Sequence, residues 1–539
     1  MDKKETLKRQ RRLFEFDIPT TTNLLPKNAP VVVLLDSDDD GDDIEIQEQI
    51  ICPFCNLNIS LLQLHERETH CDTCSAQPLI NEKPVNNLKR KVISLTDCIE
   101  SDPSEPPRKR IPRPRSPLPP FKKLFFGNIT IVVDGFNFAD DSTISQYFLS
   151  HFHSDHYIGL KKSWCQGKVY CSEITANLLI QKFKLGQDRI VVLPMDTPVW
   201  IHPTVQVICY NANHCPGAVV FLFQEFDNDR IVKRILHTGD FRSNDNLIEQ
   251  INRETTPHTI DQIYLDTTYL FPGYNFPLQE SVLQVTAQFA YDLYTQGTNK
   301  LFNNKQPSIF NFLRKSYNAS RCLYKYLFVI GTYSIGKEKL AIAIAMKLKS
   351  KIFIPKETRK HQIIKNYLTE CFPPDIITHD ITQSCVHLAS LSTLSSPQSI
   401  ENYFKPVSHI YQEFIGFSPT GWSFNSRAKY ASSQGRSDWL GYHSLEEKIN
   451  LCDTLLRDCD IDVMRRESVL RQYNPDSKYQ VFKVPYSEHS SFKDLAKFGT
   501  SISWGDMIPT VNLHKDDKVK DMEQWFKSWK KLQQKMVQS

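Results

Sequence analysis

The sequence predicts an α/β protein: a sheet domain whose strand ends carry a metal site, interrupted by an insertion and then completed. Three observations carry this. Short apolar runs alternate with loops holding His and Asp from Phe121 onward, ligand-type residues recur where those runs end, and strand texture returns after a long mixed segment. The runs are Ile131–Val133, Gln146–Leu149, Ile190–Leu193, Val205–Ile208 and Ala218–Leu222, then Ile235-Leu236 and Ile263–Leu265. Leu278–Tyr294 reads as a helix, Tyr326–Ile330 as a strand and Lys337–Ser350 as a helix, whereas 385–480 contains polar stretches that look like variable loops. Gln480–Val484 and Ile508–Leu513 restore the strand pattern. Val519–Met536 is an amphipathic helix with Met522, Trp525, Phe526 and Trp529 on one side.

The bulk properties bound the class. A chain of 539 residues allows two or three domains at ~150 residues each. Its 40% hydrophobic and 11% aromatic content can fill a large core. The net charge of +4 does not by itself argue for nucleic acid, but charge is segregated: Asp36–Glu48 is acidic and Pro106–Arg115 basic. No run of ~18 apolar residues predicts a membrane span, and the N-terminus lacks the apolar stretch of a secretory signal. The 14 cysteines are scattered except at Cys52–Cys74. That fits an intracellular protein with free thiols and one cysteine metal site, not a disulfide framework. Outside this island, residues 1 to about 120 read as a disordered arm.

The strongest local signal is His151-Phe152-His153-Ser154-Asp155-His156, directly after the strand-like Tyr147-Phe148-Leu149-Ser150. Alternation puts His151 and His153 on one side as the chain leaves the sheet. Asp155 and His156 then turn over a second position. Imidazole suits zinc, and a carboxylate with a histidine completes a mixed nitrogen and oxygen set. Four ligand-type residues in six positions argue against a chance group of loop histidines. Asp134, His214 and Asp240 each follow another strand-like run. Singly they read as ordinary polar residues; as an ordered set they read as a site.

With these motifs in order, the chain resembles the metallo-β-lactamase superfamily. The resemblance implies an αββα sandwich in which His151, His153 and His214 hold one metal and Asp155 and His156 serve a second. Asp240 would bind or bridge either metal, and Asp134 would orient the site from behind. About 250 residues separate Asp240 from His489 in Pro485-Tyr486-Ser487-Glu488-His489-Ser490-Ser491-Phe492, with Asp266 in Tyr264-Leu265-Asp266-Thr267-Thr268-Tyr269 between them. This is similar to the β-CASP branch, which inserts a cap domain and acts on nucleic acids. There Asp266 and His489 would join Asp155, His156 and Asp240 as catalytic residues, with His489 near or on the second metal. Val511 stands where that branch carries valine in DNA-processing members and histidine in RNA-processing ones.

The strings SHFHSDHYIGL, ANHCPGA, HTGDFR, YLDTTY, GTYSIGKEK and PYSEHSSF together resemble the DNA cross-link repair nucleases, in their fungal form, from about Lys122 to Trp529. The implied activity is a zinc-dependent 5′→3′ DNA exonuclease requiring a 5′-phosphate, with hairpin or structure-specific cleavage a further implication. One or two zinc ions would occupy the active site. In Gly331–Lys339 a strand passes into a helix through a glycine-containing turn, where backbone N–H groups can hold a phosphate. Thr332, Ser334, Lys337, Ser487 and Ser490 are the candidate phosphate contacts; an ordinary glycine turn is the competing reading. An RNA-processing endonuclease of the same branch is the alternative function, disfavoured by Val511. A non-catalytic scaffold is disfavoured by the complete ligand set.

Upstream, Cys52, Cys55, His70 and Cys74 have zinc-finger spacing, with His65 and Cys71 as competing ligands. The pattern resembles ubiquitin-binding fingers of DNA repair proteins and implies one structural zinc. Gln10, Leu13 and Phe16 resemble a degenerate sliding-clamp peptide that lacks its second aromatic. Val31–Leu35 followed by Asp36–Asp40 resembles a SUMO-interacting strand. Arg108-Lys109-Arg110 with Arg113 and Arg115 reads as a nuclear localisation patch, or as a basic linker that touches DNA. The expected domains are the arm at 1–48, the finger at 49–76 and a basic, Pro-rich linker at 77–120. The sandwich at 121–270, the insertion at 271–480 and the completion at 481–539 follow.

Overall fold

The computed structural model describes residues 116–127, 129–139, 141–302, 322–419, 444–513 and 516–538. The cysteine island with Cys52, Cys55, His70 and Cys74, the Gln10–Phe16 and Val31–Leu35 segments and the basic patch at 108–115 lie outside them.

Two sheets face each other. The first has five strands in sequential order: β1 (Lys123–Phe126), β2 (Ile129–Val133), β3 (Gln146–Phe148), β4 (Lys168–Ser172) and β5 (Ile190–Leu193). The second contains the antiparallel meander β6 (Val199–His202), β7 (Val205–Asn211), β8 (Val219–Asp227) and β9 (Arg230–His237), continued in parallel by β10 (Ile260–Leu265) and β17 (Trp504–Pro509). β8 is buried along its first six residues, which is why it reads as a continuous apolar run and not as an alternation. Leu124, Phe126, Ile131, Val133 and Phe148 from the first sheet share one buried cluster with Val207, Cys209, Phe221, Phe223 and Ile235 from the second. Phe148 packs edge-on against both Phe221 and Phe223.

Helices cover the outer sides, as an αββα sandwich requires. Ser154–Tyr157 (α1) is one turn following β3, and Glu173–Phe183 (α2) packs beside β4 and β5. Asp245–Thr255 (α3) packs beside β7. Near the C-terminus, Phe492–Ser501 and the long Asp516–Gln538 helix pack together, burying Met522, Trp525, Phe526 and Trp529 as the amphipathic pattern predicts.

The segment between β10 and β17 builds a third, all-parallel sheet in the order β13-β12-β14-β11-β15-β16. Its strands are β11 (Tyr324–Thr332), β12 (Ile352–Phe353), β13 (Ile377–Thr378), β14 (Val386–Ser390), β15 (Tyr411–Pro419) and β16 (Gln480–Val484). Between its polar stretches, 385–480 also supplies β14, β15 and the helices Pro397–Phe404 and Leu445–Arg457, which the sequence does not reveal. Strands buried on both faces of a parallel sheet carry no alternation to read. The sequence puts the completion of the sandwich from 481, whereas β16 pairs with β15 from Ile415↔Gln480 to Pro419↔Val484, so the insertion sheet extends through Val484. The last sandwich strand ends at Pro509, before Val511. Among the described residues, no helix is long and apolar enough to cross a membrane.

Candidate metal centre

Six of the predicted site residues follow the carboxyl end of a strand, while His153, Asp155 and His156 lie at the α1 turn after β3. Asp134 follows β2, His151 follows β3, His214 follows β7, Asp240 follows β9, Asp266 follows β10 and His489 follows β16. Strands running the same way deliver these residues to one rim, which is where open α/β sheets bind ligands. Asp134 and Gly239 are among the left-handed positions that shape the rim. Asp134 has φ 52°, which an aspartate tolerates. Gly239 has φ 52°, and a Cβ there would sit 2.6 Å from the Ser150 Cβ.

The histidine tautomers follow from their partners. His153 Nε2 lies 3.2 Å from the Ile335 carbonyl and His214 Nδ1 lies 2.9 Å from the Glu488 carbonyl. A carbonyl only accepts, so both nitrogens carry the proton. Ser150 Oγ gives its proton to Asp134 Oδ2 at 2.7 Å, so His151 Nδ1, 2.9 Å away, must donate to it. His156 Nδ1 donates to Asp134 Oδ2 at 2.7 Å and His489 Nδ1 to Asp266 Oδ2 at 2.9 Å. In all five rings the other nitrogen faces inward with a lone pair when the ring is neutral.

Those inward nitrogens crowd one another. His153 Nδ1 is 2.9 Å from His151 Nε2 and 3.1 Å from His214 Nε2. A tetrahedral zinc with bonds of ~2.0–2.1 Å sets its ligand nitrogens roughly 3.3 Å apart, so the triad fits that ion closely. Three lone pairs at this spacing repel unless a cation lies between them. Burial holds His151 and His214 well below the usual imidazole range, and neighbouring histidines push the same way. Neutral imidazole is the form a metal needs.

Asp240 Oδ2 is the hub. It lies 3.7 Å from His151 Nε2, 3.8 Å from His214 Nε2, 3.3 Å from His156 Nε2 and 3.9 Å from His489 Nε2. His151, His153, His214 and Asp240 form one possible ligand group, and Asp240, Asp266 and His489 a second that shares the hub. Asp155 stands at the open side, 66% exposed, with Oδ2 3.6 Å from His156 Nε2. Asp134 supports the site from behind, accepting from Ser150 N at 2.8 Å as well as from Ser150 Oγ and His156. Burial would raise its pKa, but the His156 imidazole prevails and holds the carboxyl at about 2. Asp266 is fixed by Thr268, whose N–H and hydroxyl donate at 2.9 and 2.6 Å. Val511 bonds Thr267 through both its N–H and its carbonyl, which brings the β17 loop against the Asp266 turn.

The phosphate candidates separate by exposure. Thr332, Lys337, Ser487 and Ser490 are buried, and Ser334 is exposed. Thr332 donates to Ala389 O, Ser487 to His489 O and Ser490 to Phe241 O, and Lys337 Nζ lies 3.4 Å from Tyr486 O. These four shape the rim from inside. Sequence reasoning missed Ser150, Arg242, Ile335 and Glu488. Ser150, Arg242 and Glu488 stand within the strings SHFHSDH, HTGDFR and PYSEHSSF. Ile335 acts through its carbonyl, for which no side-chain signal exists. Buried Arg242 bonds Asp494 at 2.8 Å, Ser487 O at 3.1 Å and Pro277 O at 3.2 Å, tying the Asp240 loop to the His489 loop.

Sandwich and rim together are those of the metallo-β-lactamase class, with side chains grouped as a metal ion would need them. A family model described as "DNA repair metallo-beta-lactamase" matches residues 371–515, which include His489 and Val511. The chain is 42% identical over 513 residues to "DNA cross-link repair protein PSO2/SNM1" of Saccharomyces cerevisiae, covering 90% of this chain and 78% of that one. It is 32% identical to the Schizosaccharomyces pombe protein of that name, over 90% of this chain and 79% of the other. It is 26% identical to "5' exonuclease Apollo" of Danio rerio, over 71% of this chain and 51% of that protein. The chain belongs to the PSO2/SNM1 family of DNA cross-link repair proteins.

Proposed function

We propose that this chain is a zinc-dependent 5′→3′ DNA exonuclease of interstrand cross-link repair. The observation that carries the reading is Asp240 Oδ2 standing within 3.9 Å of four histidine nitrogens, a carboxylate shared by two ligand groups. When bound, one or two zinc ions would supply a nucleophile at neutral pH and neutralise charge on a phosphodiester. His151, His153 and His214 would hold one ion, Asp155, His156 and His489 would serve the second position, and Asp240 would join them. Asp134 and Asp266 orient His156 and His489, so these rings need not reorganise as charge develops. His489 would face the developing charge, and Asp155 would meet the substrate side because it is the exposed member.

The β11 turn and its neighbours support a 5′-phosphate pocket. Ser334, the exposed member, would make the contact, with Thr332, Lys337, Ser487 and Ser490 holding the pocket's shape; the Gly336 and Lys337 N–H groups are already taken by Glu338 and Glu488. Val511 favours DNA over the RNA-processing alternative. Hairpin or structure-specific cleavage, a nuclear location directed by the basic patch, the zinc finger, and ubiquitin, SUMO and sliding-clamp contacts belong to the same proposal and rest on resemblance alone. The test uses matched substrates: DNA with a 5′-phosphate, DNA with a 5′-hydroxyl, DNA hairpins and RNA. The expected result is directional degradation of 5′-phosphorylated DNA, slower by about tenfold or more on the hydroxyl end, the loss of one charge-assisted contact. Equal rates on both ends would remove the pocket; faster RNA cleavage would reverse the choice of substrate.

A further inference from the structure

The turn after β11 belongs to the insertion, yet it touches the metal centre from outside. Its Ile335 carbonyl accepts from His153 Nε2 and so fixes which nitrogen of that ring faces inward. The following Gly336 has φ 102° and Lys337 has φ 68°. Glycine adopts such a conformation freely; lysine does so at a cost, so something must hold the turn.

Two buried carboxylates hold it. Glu488 Oε1 accepts from Lys337 N at 2.6 Å, and the Glu488 carbonyl accepts from His214 Nδ1. Glu338 is 4% exposed, and its Oε1 accepts from Gly336 N at 3.0 Å, Lys360 Nζ at 2.7 Å and Tyr367 OH at 2.9 Å. Lys360 Nζ also donates to Tyr333 O at 2.8 Å and Ser334 O at 3.2 Å. Lys360 thus grips the strand side of the turn while binding the carboxylate that grips the helix side. Lys360 comes from the helix Arg359–Ile364, deep within the insertion and outside the metal ligands. Gly336 leaves no room for adjustment, because a Cβ there would stand 2.7 Å from Glu488 Oε2.

We propose that the Glu338–Lys360 pair is a positioning device through which the insertion holds His153 in its metal-binding orientation. It acts through the Tyr333–Lys337 turn and the Ile335 carbonyl, and couples to His214 where Glu488 holds the same turn. The inference rests on the reading of this rim as a zinc centre. Its consequence is that metal affinity is set partly by an ion pair in the inserted domain, and disturbing that pair loosens the ion without removing a ligand.

The experiment uses the full chain and its Glu338→Ala, Glu338→Gln and Lys360→Met variants. Zinc affinity is read by competition with a chromophoric chelator, and the coordination sphere by the visible spectrum of the Co2+-loaded chain. Glu338→Ala should weaken zinc binding by ~10–100-fold, the usual cost of losing a group that orders a metal ligand, and Lys360→Met by about tenfold. Both should change the cobalt spectrum. Glu338→Gln keeps an acceptor for Gly336 N–H and should recover part of the loss. Lys360 is partly exposed at its side chain, so its replacement tests the idea even where Glu338→Ala fails to fold. A purely structural role would lower Tm equally with and without metal and leave affinity and spectrum unchanged; that outcome overturns the proposal. A parent chain whose zinc uptake is unchanged by Asp240→Asn, so that any bound ion sits outside the rim, would overturn the zinc reading and this inference together, whereas a parent that loses a zinc site on Asp240→Asn but is unaffected by the Glu338 and Lys360 variants would overturn the inference alone.

Discussion

Asp155 and His156 occupy the same turn but do different work, and substitution should separate them. His156 is locked by Asp134 at 2.7 Å and points its free nitrogen at Asp240, 3.3 Å away. Asp155 is open to solvent and makes no comparable buried bond. Asp155→Ala and His156→Ala should each lower DNA cleavage by on the order of 10³-fold or more. Asp155→Ala should leave Tm nearly unchanged, while His156→Ala should lower it because Asp134 loses a buried donor. Circular dichroism melts alongside cleavage assays check both, and retained cleavage in either variant refutes the assignment. A second residue-scale prediction lies away from the metal. His387 is buried between the Tyr403 and Tyr411 hydroxyls, and burial lowers its pKa to about 3. Below the ordinary imidazole value near 6.5 the unfolded chain takes a proton that the folded ring refuses. Stability therefore falls as pH drops from there toward 3, at up to ~1.4 kcal/mol per pH unit. With chelator present throughout, His387→Gln should flatten the dependence of the urea midpoint on pH in that window. An identical slope in both proteins would rule this out.

At the scale of elements, the loops that carry the candidate ligands are legible in the sequence and their fastenings are not. Asp134, His151, His214, Asp240 and Asp266 each close an apolar run, so strand texture and ligand chemistry coincide along the sequence. His489 lies after a strand that belongs to the other sheet, which is why the expected return to the sandwich fell within β16. The parallel order β13-β12-β14-β11-β15-β16 depends on contacts between distant segments, and fully buried strands give no periodic signal. Backbone carbonyls such as Ile335 and Glu488 carry no residue code at all. Arg242 shows what such hidden fastenings contribute. Its guanidinium spans Asp494 and two carbonyls in a fork that Lys cannot reproduce. Arg242→Met should cost about 3 kcal/mol, because the Asp494 carboxylate loses its buried cation. It should also weaken zinc binding, since the His489 loop loses its tie to the Asp240 loop. A lower urea midpoint with unaltered zinc affinity would confine Arg242 to stability.

Across the whole molecule, the centre joins three sheets that are otherwise separate hydrogen-bonded units. Asp134, His151, His153 and His156 come from the first, His214, Asp240 and Asp266 from the second, and His489 from the third. An ion held there cross-links elements more than 300 residues apart in sequence, from His151 to His489. Its binding free energy is therefore also stabilisation of their mutual arrangement. At free zinc 100-fold above the dissociation constant this amounts to ~2.7 kcal/mol, and at 1,000-fold to ~4.1 kcal/mol. In a chain of this size each kcal/mol shifts Tm by no more than about 2–4 °C. Zinc should thus raise the melting temperature by several degrees over the chelated protein, and the shift should grow with the logarithm of zinc concentration. Asp240→Asn removes the charge at the hub while keeping its shape, so it should abolish most of that shift. Differential scanning calorimetry of both proteins across a zinc series makes the comparison. A parent Tm that is the same in chelator and in excess zinc would mean that the rim does not hold the ion, and the two-group centre would fall with it.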